Sequence, residues 1–388
     1  MENFTHYIPT KIYFGKGEIS ALSDEFKQRA RRILIVTGQG SVKKNGVFDD
    51  LMDQVKKAKI KFFEHSGIVP NPRLESVYEG IEIAKREAID LVLAAGGGSV
   101  IDAAKAIAVG AKHDGDVWDF FERKAVPSSA LDVGCVLTLA ATGSEMNGNS
   151  VITKQDSQRK LALSTPLIRP VFSVLDPEYT FSVNSFHTAA GIADIMTHVF
   201  EQYFSYTEAA DVQDRIAEAL LKVCIDYGPV CCKEPKDYDA RANILWAGTL
   251  ALNGLIGEGK AGDWACHGIE HEISAIYDIS HGAGLAIIVP NWMKHVLNNA
   301  TRKKFVEYGI NVWGIDKEKE DSSIAEDAIK KTREFFVSIG MPSSLTEVGV
   351  PQDKFKDMAK NAIRSYGQVG SFKKLTESDI VDILQRSV

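Results

Sequence analysis

The 388-residue sequence contains no run of about 20 apolar residues, so it offers no ordinary membrane-spanning helix. It has no surplus of positive charge either. Forty-five Lys and Arg stand against 52 Asp and Glu, a net charge of −7, which excludes a global cationic field able to hold a polyanion, and nucleic acid is not an expected partner. The first residues, Met1-Glu2-Asn3-Phe4-Thr5-His6, lack the basic and apolar stretches of a signal peptide, so the expected compartment is the cytoplasm. Cysteine is scarce. Cys135, Cys224, Cys231, Cys232 and Cys266 form an odd set without CxxC spacing and read as reduced thiols, and the adjacent Cys231 and Cys232 most simply as buried or idle ones. Also missing are internal repeats, low-complexity segments and a GxGxxG dinucleotide fingerprint.

What is present is ordinary for a globular protein, with 45% hydrophobic and 25% charged residues. At roughly 150 residues per domain the length suggests two domains. From 1 to 182, short apolar runs alternate with amphipathic stretches; the runs are Ile33–Val36, Leu91–Ala95, Val133–Leu137 and Phe172–Leu175. Such unbroken runs suit strands buried on both faces, with helices as crossovers, and predict an α/β domain built on a parallel sheet. From 183 to 388, apolar residues recur at helical spacing, as in 189–204, 216–225 and 324–339, and predict an all-α domain. Asn184 is placed to cap its first helix, and Pro290 should kink or split a later one. The tract Asp316–Asp321 reads as a solvated loop.

Directly after the strand-like run ending at Ala95 comes Gly96-Gly97-Gly98-Ser99-Val100-Ile101-Asp102. A strand turning through bare glycines into a helix brings backbone N–H groups and a helix N-terminus against an anion, which is the physics of a pyrophosphate site; a plain tight turn is the alternative. A second glycine element, Thr37-Gly38-Gln39-Gly40-Ser41-Val42-Lys43-Lys44, follows the first strand. Enzymes selective for NAD carry an acid at that strand end for the ribose 2′-hydroxyl. Here the acid is missing and Ser41, Lys43 and Lys44 stand close behind, which predicts NADP(H).

Asp194 and His198 lie four residues apart, as do His267 and His271, and His281-Gly282-Ala283-Gly284 comes next. The i,i+4 spacing puts each pair on one helix face. Each pair alone reads as surface or core packing, but one carboxylate with several imidazoles and no thiolate suits a borderline divalent cation such as Zn²⁺ or Fe²⁺. Spacing does not choose between His267 and His271 as ligand. Gly257, Gly259, Gly262, Gly282 and Gly284 read as the wall of a cleft rather than a packed core.

Taken together, Tyr13-Phe14-Gly15, Pro70-Asn71-Pro72, Gly96-Gly97-Gly98-Ser99, Thr138-Leu139-Ala140-Ala141-Thr142-Gly143-Ser144-Glu145, Asp176-Pro177, Asp194-x3-His198 and His267-x3-His271-x9-His281-Gly282 resemble the iron-containing (group III) alcohol dehydrogenases, and within them the NADPH-dependent butanol dehydrogenase and aldehyde reductase branch. The resemblance covers nearly the whole chain. It implies a Rossmann-like parallel sheet followed by an all-helical domain, the dehydroquinate synthase-like fold. It also implies Asp194, His198, His267 and His281 as metal ligands, with His271 left beside the substrate. Gly38, Gly40, Ser41, Asn71, Gly97, Gly98, Ser99, Asp102, Thr138, Thr142, Asn147, Lys160 and Tyr179 would contact the cofactor or border it, and Lys44 joins them as the base beside Ser41. The departure from NAD-using members lies at Gly38.

The expected reaction is hydride transfer between NADP(H) and a short- to medium-chain primary alcohol or aldehyde, with a divalent ion, Fe²⁺ or Zn²⁺, polarising the substrate oxygen in the interdomain cleft. His271 is one helical turn from His267, where it could relay the alcohol proton or simply pack against the cofactor. Trp246, Trp264 and Asn149 are candidates for shaping an apolar pocket. Rival readings are a glycerol dehydrogenase- or dehydroquinate synthase-like enzyme on the same fold, and a nucleotide-binding sensor without turnover. A homodimer with an N-terminal strand near the interface is implied by the resemblance alone.

Overall fold

The apolar runs become the inner strands of one sheet. A computed structural model describes residues 1–388, the Tyr366 side chain excepted. Its strands are β1 (Lys11–Phe14), β2 (Arg32–Gly38), β3 (Lys61–Ile68), β4 (Leu91–Gly96), β5 (Asp132–Leu137), β6 (Asn149–Lys154), β7 (Arg159–Ser164) and β8 (Phe172–Leu175). Six of them form a sheet in the order β1-β8-β5-β4-β2-β3, with every pairing parallel. The helices of this half are α1 (Leu22–Arg29), α2 (Ser41–Lys44), α3 (Val47–Ala58), α4 (Leu74–Arg86), α5 (Gly98–Gly110) and α6 (Trp118–Phe121). One apolar cluster joins α4 and α5 to one face of the sheet, and a second joins α1 and α3 to the other. Strand β4 is buried along its whole length, because both faces are covered. Burying a Val, Leu or Ile side chain there contributes about 1.5–3 kcal/mol each.

The chain leaves β2 toward β3, then returns to the other side of β2 with β4. This reversal is where open α/β sheets bind ligands, beyond the carboxyl ends of the strands. In register, Thr37 of β2 faces Ala95 of β4, and Gly96 faces Leu137 of β5. The glycines that come after β2 and β4 therefore flank the switch point. Between β5 and β8 the chain adds an antiparallel hairpin, β6 and β7, in which Thr153 pairs with Lys160.

The second half is helical: α7 (Ser185–Tyr203), α8 (Asp211–Lys233), α9 (Tyr238–Ala251), α10 (Ala265–Tyr277), α11 (His281–Val296), α12 (Arg302–Asn311), α13 (Asp321–Ser338), α14 (Phe355–Tyr366) and α15 (Glu377–Arg386). Asn184 caps α7 as expected, accepting from His187 N at 2.8 Å. Helix α7 packs against α8 and α11, and α10 packs against α11 and α14. Pro290 does not split its helix. Helix α11 runs from His281 through it to Val296, and the side chain of Asn291 donates to the Ile287 carbonyl at 2.9 Å, adding a hydrogen bond beside the one that proline cannot make. Residues 316–320 of the acidic-basic tract form the connection into α13, and Asp321 is that helix's first residue.

The contacts divide into two compact units whose members are not simply consecutive. Met1–His6, Asn184–Pro235 and Leu250–Val388 form one; Tyr7–Val183 and Lys236–Thr249 form the other. Thus most of α9 belongs with the sheet, where Thr249 donates to the buried carboxylate of Glu145 at 2.5 Å. Among the described residues, no helix is long and apolar enough to cross a membrane. Among the described residues, no cysteine forms a disulfide.

Candidate active site

In the sheet unit, Gly97 precedes α5 as its cap residue, and Gly98 and Ser99 form the first turn. The N–H groups of a helix's first turn have no intrahelical acceptor and point outward, where the helix dipole also favours an anion. A Cβ on Gly98 would lie 2.5 Å from Thr142 Cγ2, so the loop after β5 closes over this turn only because the side chain is missing. Gly38 ends β2, and Gly40, at φ 100°, leads into α2 with Ser41 and Lys44. Lys43 is engaged by Glu64 of β3 at 2.5 Å.

Most of the remaining candidates of this unit sort into two groups. Asn71, at φ 52°, accepts from Lys160 Nζ at 2.9 Å, and both side chains are buried. Asp102, Asn147 and Thr142 are held by a network around Lys105, a residue to which the sequence alone assigns no role. Lys105 Nζ is buried at 0% exposure and donates to Ser144 Oγ (2.8 Å) and to the carbonyls of Asn147 (2.8 Å) and Asn149 (2.8 Å). Ser144 in turn donates to Asp102 at 2.7 Å, the other Asp102 oxygen accepts from Val151 N at 2.9 Å, and Asn147 Nδ2 donates to the Thr142 carbonyl at 3.2 Å. Burial pulls the Lys105 ammonium down to about 8, with the Asp102 carboxylate acting against it. Helix α5 thereby clamps the loop that carries Thr138 and Thr142. Tyr179 lies on the opposite face of the sheet, donating to Asp50 of α3 at 2.9 Å. Trp246 packs edge-on against Phe14 of β1, with centroids 5.8 Å apart.

In the helical unit, Asp194 and His198 share the buried face of α7, His267 and His271 stand on α10, and His281 opens α11. Asp194 Oδ1 is the focus. His198 Nδ1 lies 3.6 Å from it, His267 Nε2 3.6 Å and His281 Nε2 3.7 Å. These separations are too long for hydrogen bonds. They match the roughly 3.4 Å edge of a tetrahedron whose N and O ligands stand ~2.1 Å from one cation. Asp194 Oδ1, His198 Nδ1 and His267 Nε2 are all buried without a hydrogen-bond partner. Three such orphans converging on one point are costly unless a cation satisfies them, so these residues fit a divalent ion with an oxygen–nitrogen donor set. His271 stands beside this group, with ring centroids 6.2 Å from His267 and 5.4 Å from His281.

The buried charges of the cluster act on one another. Burial would lift the Asp194 carboxyl, but the surrounding imidazoles outweigh it and hold it well below the usual carboxylate range. Burial pushes the His198 imidazole down to about 3. On His267 burial also opposes charge, yet Glu201 and Asp194 together prevail and push it up to about 10.

Two residues that the sequence alone does not single out complete the picture. Glu201 accepts from His267 Nδ1 at 2.9 Å, and Glu270 pairs with His281 Nδ1. The only sequence signal for either is an acid three residues after a histidine. Of the glycines expected to wall a cleft, Gly259 is buried, and so are Gly282 and Gly284, where a Cβ would lie 2.0 Å from the Ala190 carbonyl oxygen and 2.8 Å from Glu270 Cγ, respectively. Gly282 and Gly284 permit close approach of helices, a packing role.

Comparison with known proteins agrees with this architecture. Residues 9–177 match the family description "iron-containing alcohol dehydrogenase", and residues 188–388 match the C-terminal part of the same family. The chain is 51% identical, over 100% of both chains, to NADH-dependent butanol dehydrogenase A of Clostridium acetobutylicum. It is 40% identical to the NADPH-dependent aldehyde reductase YqhD of Escherichia coli, over 90% of each. The crystal structure of NADH-dependent butanol dehydrogenase A from Thermotoga maritima superposes with a TM-score of 0.96 at 38% identity, covering 100% of this chain and 99% of that one. The chain therefore belongs to the iron-containing alcohol dehydrogenase family.

Proposed function

We propose that this chain is an NADP(H)-dependent, metal-dependent alcohol dehydrogenase and aldehyde reductase, moving a hydride between the nicotinamide and the carbinol carbon of a short- to medium-chain primary alcohol. The observation that carries the reading is the set of buried, unpartnered atoms around Asp194 Oδ1. Asp194, His198, His267 and His281 would hold the cation, Fe²⁺ or Zn²⁺, and when bound it would supply Lewis acidity to the substrate oxygen. The other work falls to the protein. Gly97, Gly98 and Ser99 would receive the pyrophosphate at the head of α5, while Thr138 and Thr142 close over it and Asp102 and Asn147 keep their loop in place. Asn71 with Lys160, and Tyr179, would border the dinucleotide. His271 would carry the alcohol proton to and from solvent, since an imidazole titrates in the working pH range and this one stands beside two of the proposed ligands.

The NADP(H) preference is supported by Gly38 ending β2 without an acid, with Ser41 and Lys44 on the short helix after it. The relatives' names include both nicotinamides, so the preference is this chain's own question. A homodimer is supported by β1, which ends the sheet as an edge strand with Phe14 and Trp246 each 38% exposed beside it. The odd set of five cysteines without CxxC spacing supports a reducing compartment, the cytoplasm.

The test is oxidation of NADPH and of NADH by the metal-loaded protein with butanal, beside a His267→Ala variant. NADPH-linked reduction by the parent, with both metal and turnover lost in the variant, is expected. Wild-type turnover in the variant would show that the ligands are wrongly assigned.

A further inference from the structure

Behind the atoms that would face the cation stands a second layer of charge, whose role depends on the metal-binding function proposed for Asp194 and its histidines. Glu201 and Glu270 are both buried at 0% exposure. A carboxylate with no access to water needs donors. Glu201 Oε1 accepts from the backbone N–H of Cys266 at 2.5 Å and of His267 at 3.1 Å, which caps the first turn of α10. Its other oxygen is not used for capping: it accepts from the His267 ring at 2.9 Å. Glu270 takes the Ser274 hydroxyl on one oxygen and the His281 Nδ1 on the other.

The arrangement crosses between helices. Glu201 lies three residues beyond His198 on α7, yet it holds a histidine of α10; Glu270 lies three beyond His267 on α10, yet it holds the histidine that opens α11. Asp194 and His198 are fixed relative to each other by sharing one helix, whereas His267 and His281 each come from a separate element. We propose that Glu201 and Glu270 are positioning residues for the metal centre. A carboxylate can only accept, so Nδ1 of each ring is the donor and Nε2 is left bare, the nitrogen found facing Asp194. The two acids thus fix the tautomer and the aim of both imidazoles, and the negative charge behind each ring makes it a stronger ligand. Gly284 belongs to the same device, because only a residue without a Cβ leaves room for the Glu270 side chain. Among the described residues no acid stands in this way behind His198.

The experiment is a competition titration. Full-length protein stripped by a chelator is titrated with Zn²⁺ and, separately, Co²⁺ against a chromophoric chelator, for the parent and for Glu201→Gln, Glu270→Gln and Glu218→Gln. Glu218 is a buried carboxylate of the same unit that accepts from Tyr203, Arg215 and Asn311, so it controls for the loss of a buried acid as such. The expected result is about 10- to 100-fold weaker binding in each of the first two, with an altered Co²⁺ visible spectrum, and no change in the third. Parental affinity and spectrum in Glu201→Gln and Glu270→Gln would overturn the proposal. If Glu201→Gln loses α10 and fails to fold, Glu270→Gln decides alone, because Glu270 lies inside α10 and not at the end that Glu201 caps. A parent that takes up neither ion would overturn the metal-binding function itself, an outcome distinct from an insensitive pair of variants.

Discussion

Gly282 sits so close to Ala190 that a methyl group on it would lie 2.0 Å from the Ala190 carbonyl oxygen. The first turn of α11 therefore rests on the backbone of α7 one helical turn before Asp194. Gly282→Ala should push His281 away from Asp194 and destabilise the fold by about 1–3 kcal/mol, the range for overpacking. Metal per chain after dialysis is the measurement; full occupancy with unchanged melting would contradict the contact.

Gly98→Ala separates two effects. Alanine favours the helix by about 1 kcal/mol over glycine, but here its methyl would lie 2.5 Å from Thr142 Cγ2. Weaker binding of NADPH, read by fluorescence, is expected with metal content unchanged. Equal affinity would remove the cradle from the cofactor site.

A Cβ at Gly38 meets Ile68 O at 3.5 Å and Val100 Cγ2 at 3.6 Å, which are ordinary contacts, so Gly38→Asp should fold normally. The added charge should lower the ratio of kcat/KM for NADPH over NADH about tenfold or more, equivalent to ~1.4 kcal/mol. An unchanged ratio would withdraw the basis for NADP(H).

Lys105→Met would leave Ser144 Oγ and two carbonyls without their donor. Destabilisation of about 1–3 kcal/mol is expected, with weaker dinucleotide binding because the clamp on the loop of Thr138 and Thr142 is lost. Denaturant unfolding and NADPH titration check the two parts independently.

Asp379 closes the capping box of α15, accepting from Thr376 N at 2.8 Å, Thr376 Oγ1 at 2.7 Å and His295 Nε2 at 2.8 Å. Burial would raise its carboxyl, but the Thr376 and His295 donors outweigh that and hold it well below the usual range. A folded value below the unfolded one, about 3.9, means the stabilisation is fully present above pH ~4 and is lost as pH falls further. Asp379→Asn should melt lower than the parent at neutral pH, by about 1 kcal/mol, and the gap should close toward pH 2. A gap independent of pH would refute the linkage.

The inner strands β2, β4, β5 and β8 were legible because burial on both faces writes an unbroken apolar run. Edge strands carry no such mark: β3, with only β2 beside it, includes Lys61, Glu64, His65 and Ser66, and the β6–β7 hairpin mixes polar and apolar residues throughout. In the helical half, i,i+4 spacing marked Asp194, His198, His267 and His271 as pairs. It could not mark Glu201 and Glu270, whose partners lie on other helices, nor tell that Gly282 and Gly284 serve helix contact. Lys105 was hidden for a similar reason, since a lysine on a helix ordinarily reaches water and its burial depends on a loop some 40 residues further on.

The passage of Lys236–Thr249 through the sheet unit bears on how the protein is made. A ribosome must deliver residue 249 before the Glu145–Thr249 bond can form, so the sheet unit waits for a piece synthesised after α7 and α8. A gene cut after codon 183 would encode a sheet unit still missing that wall.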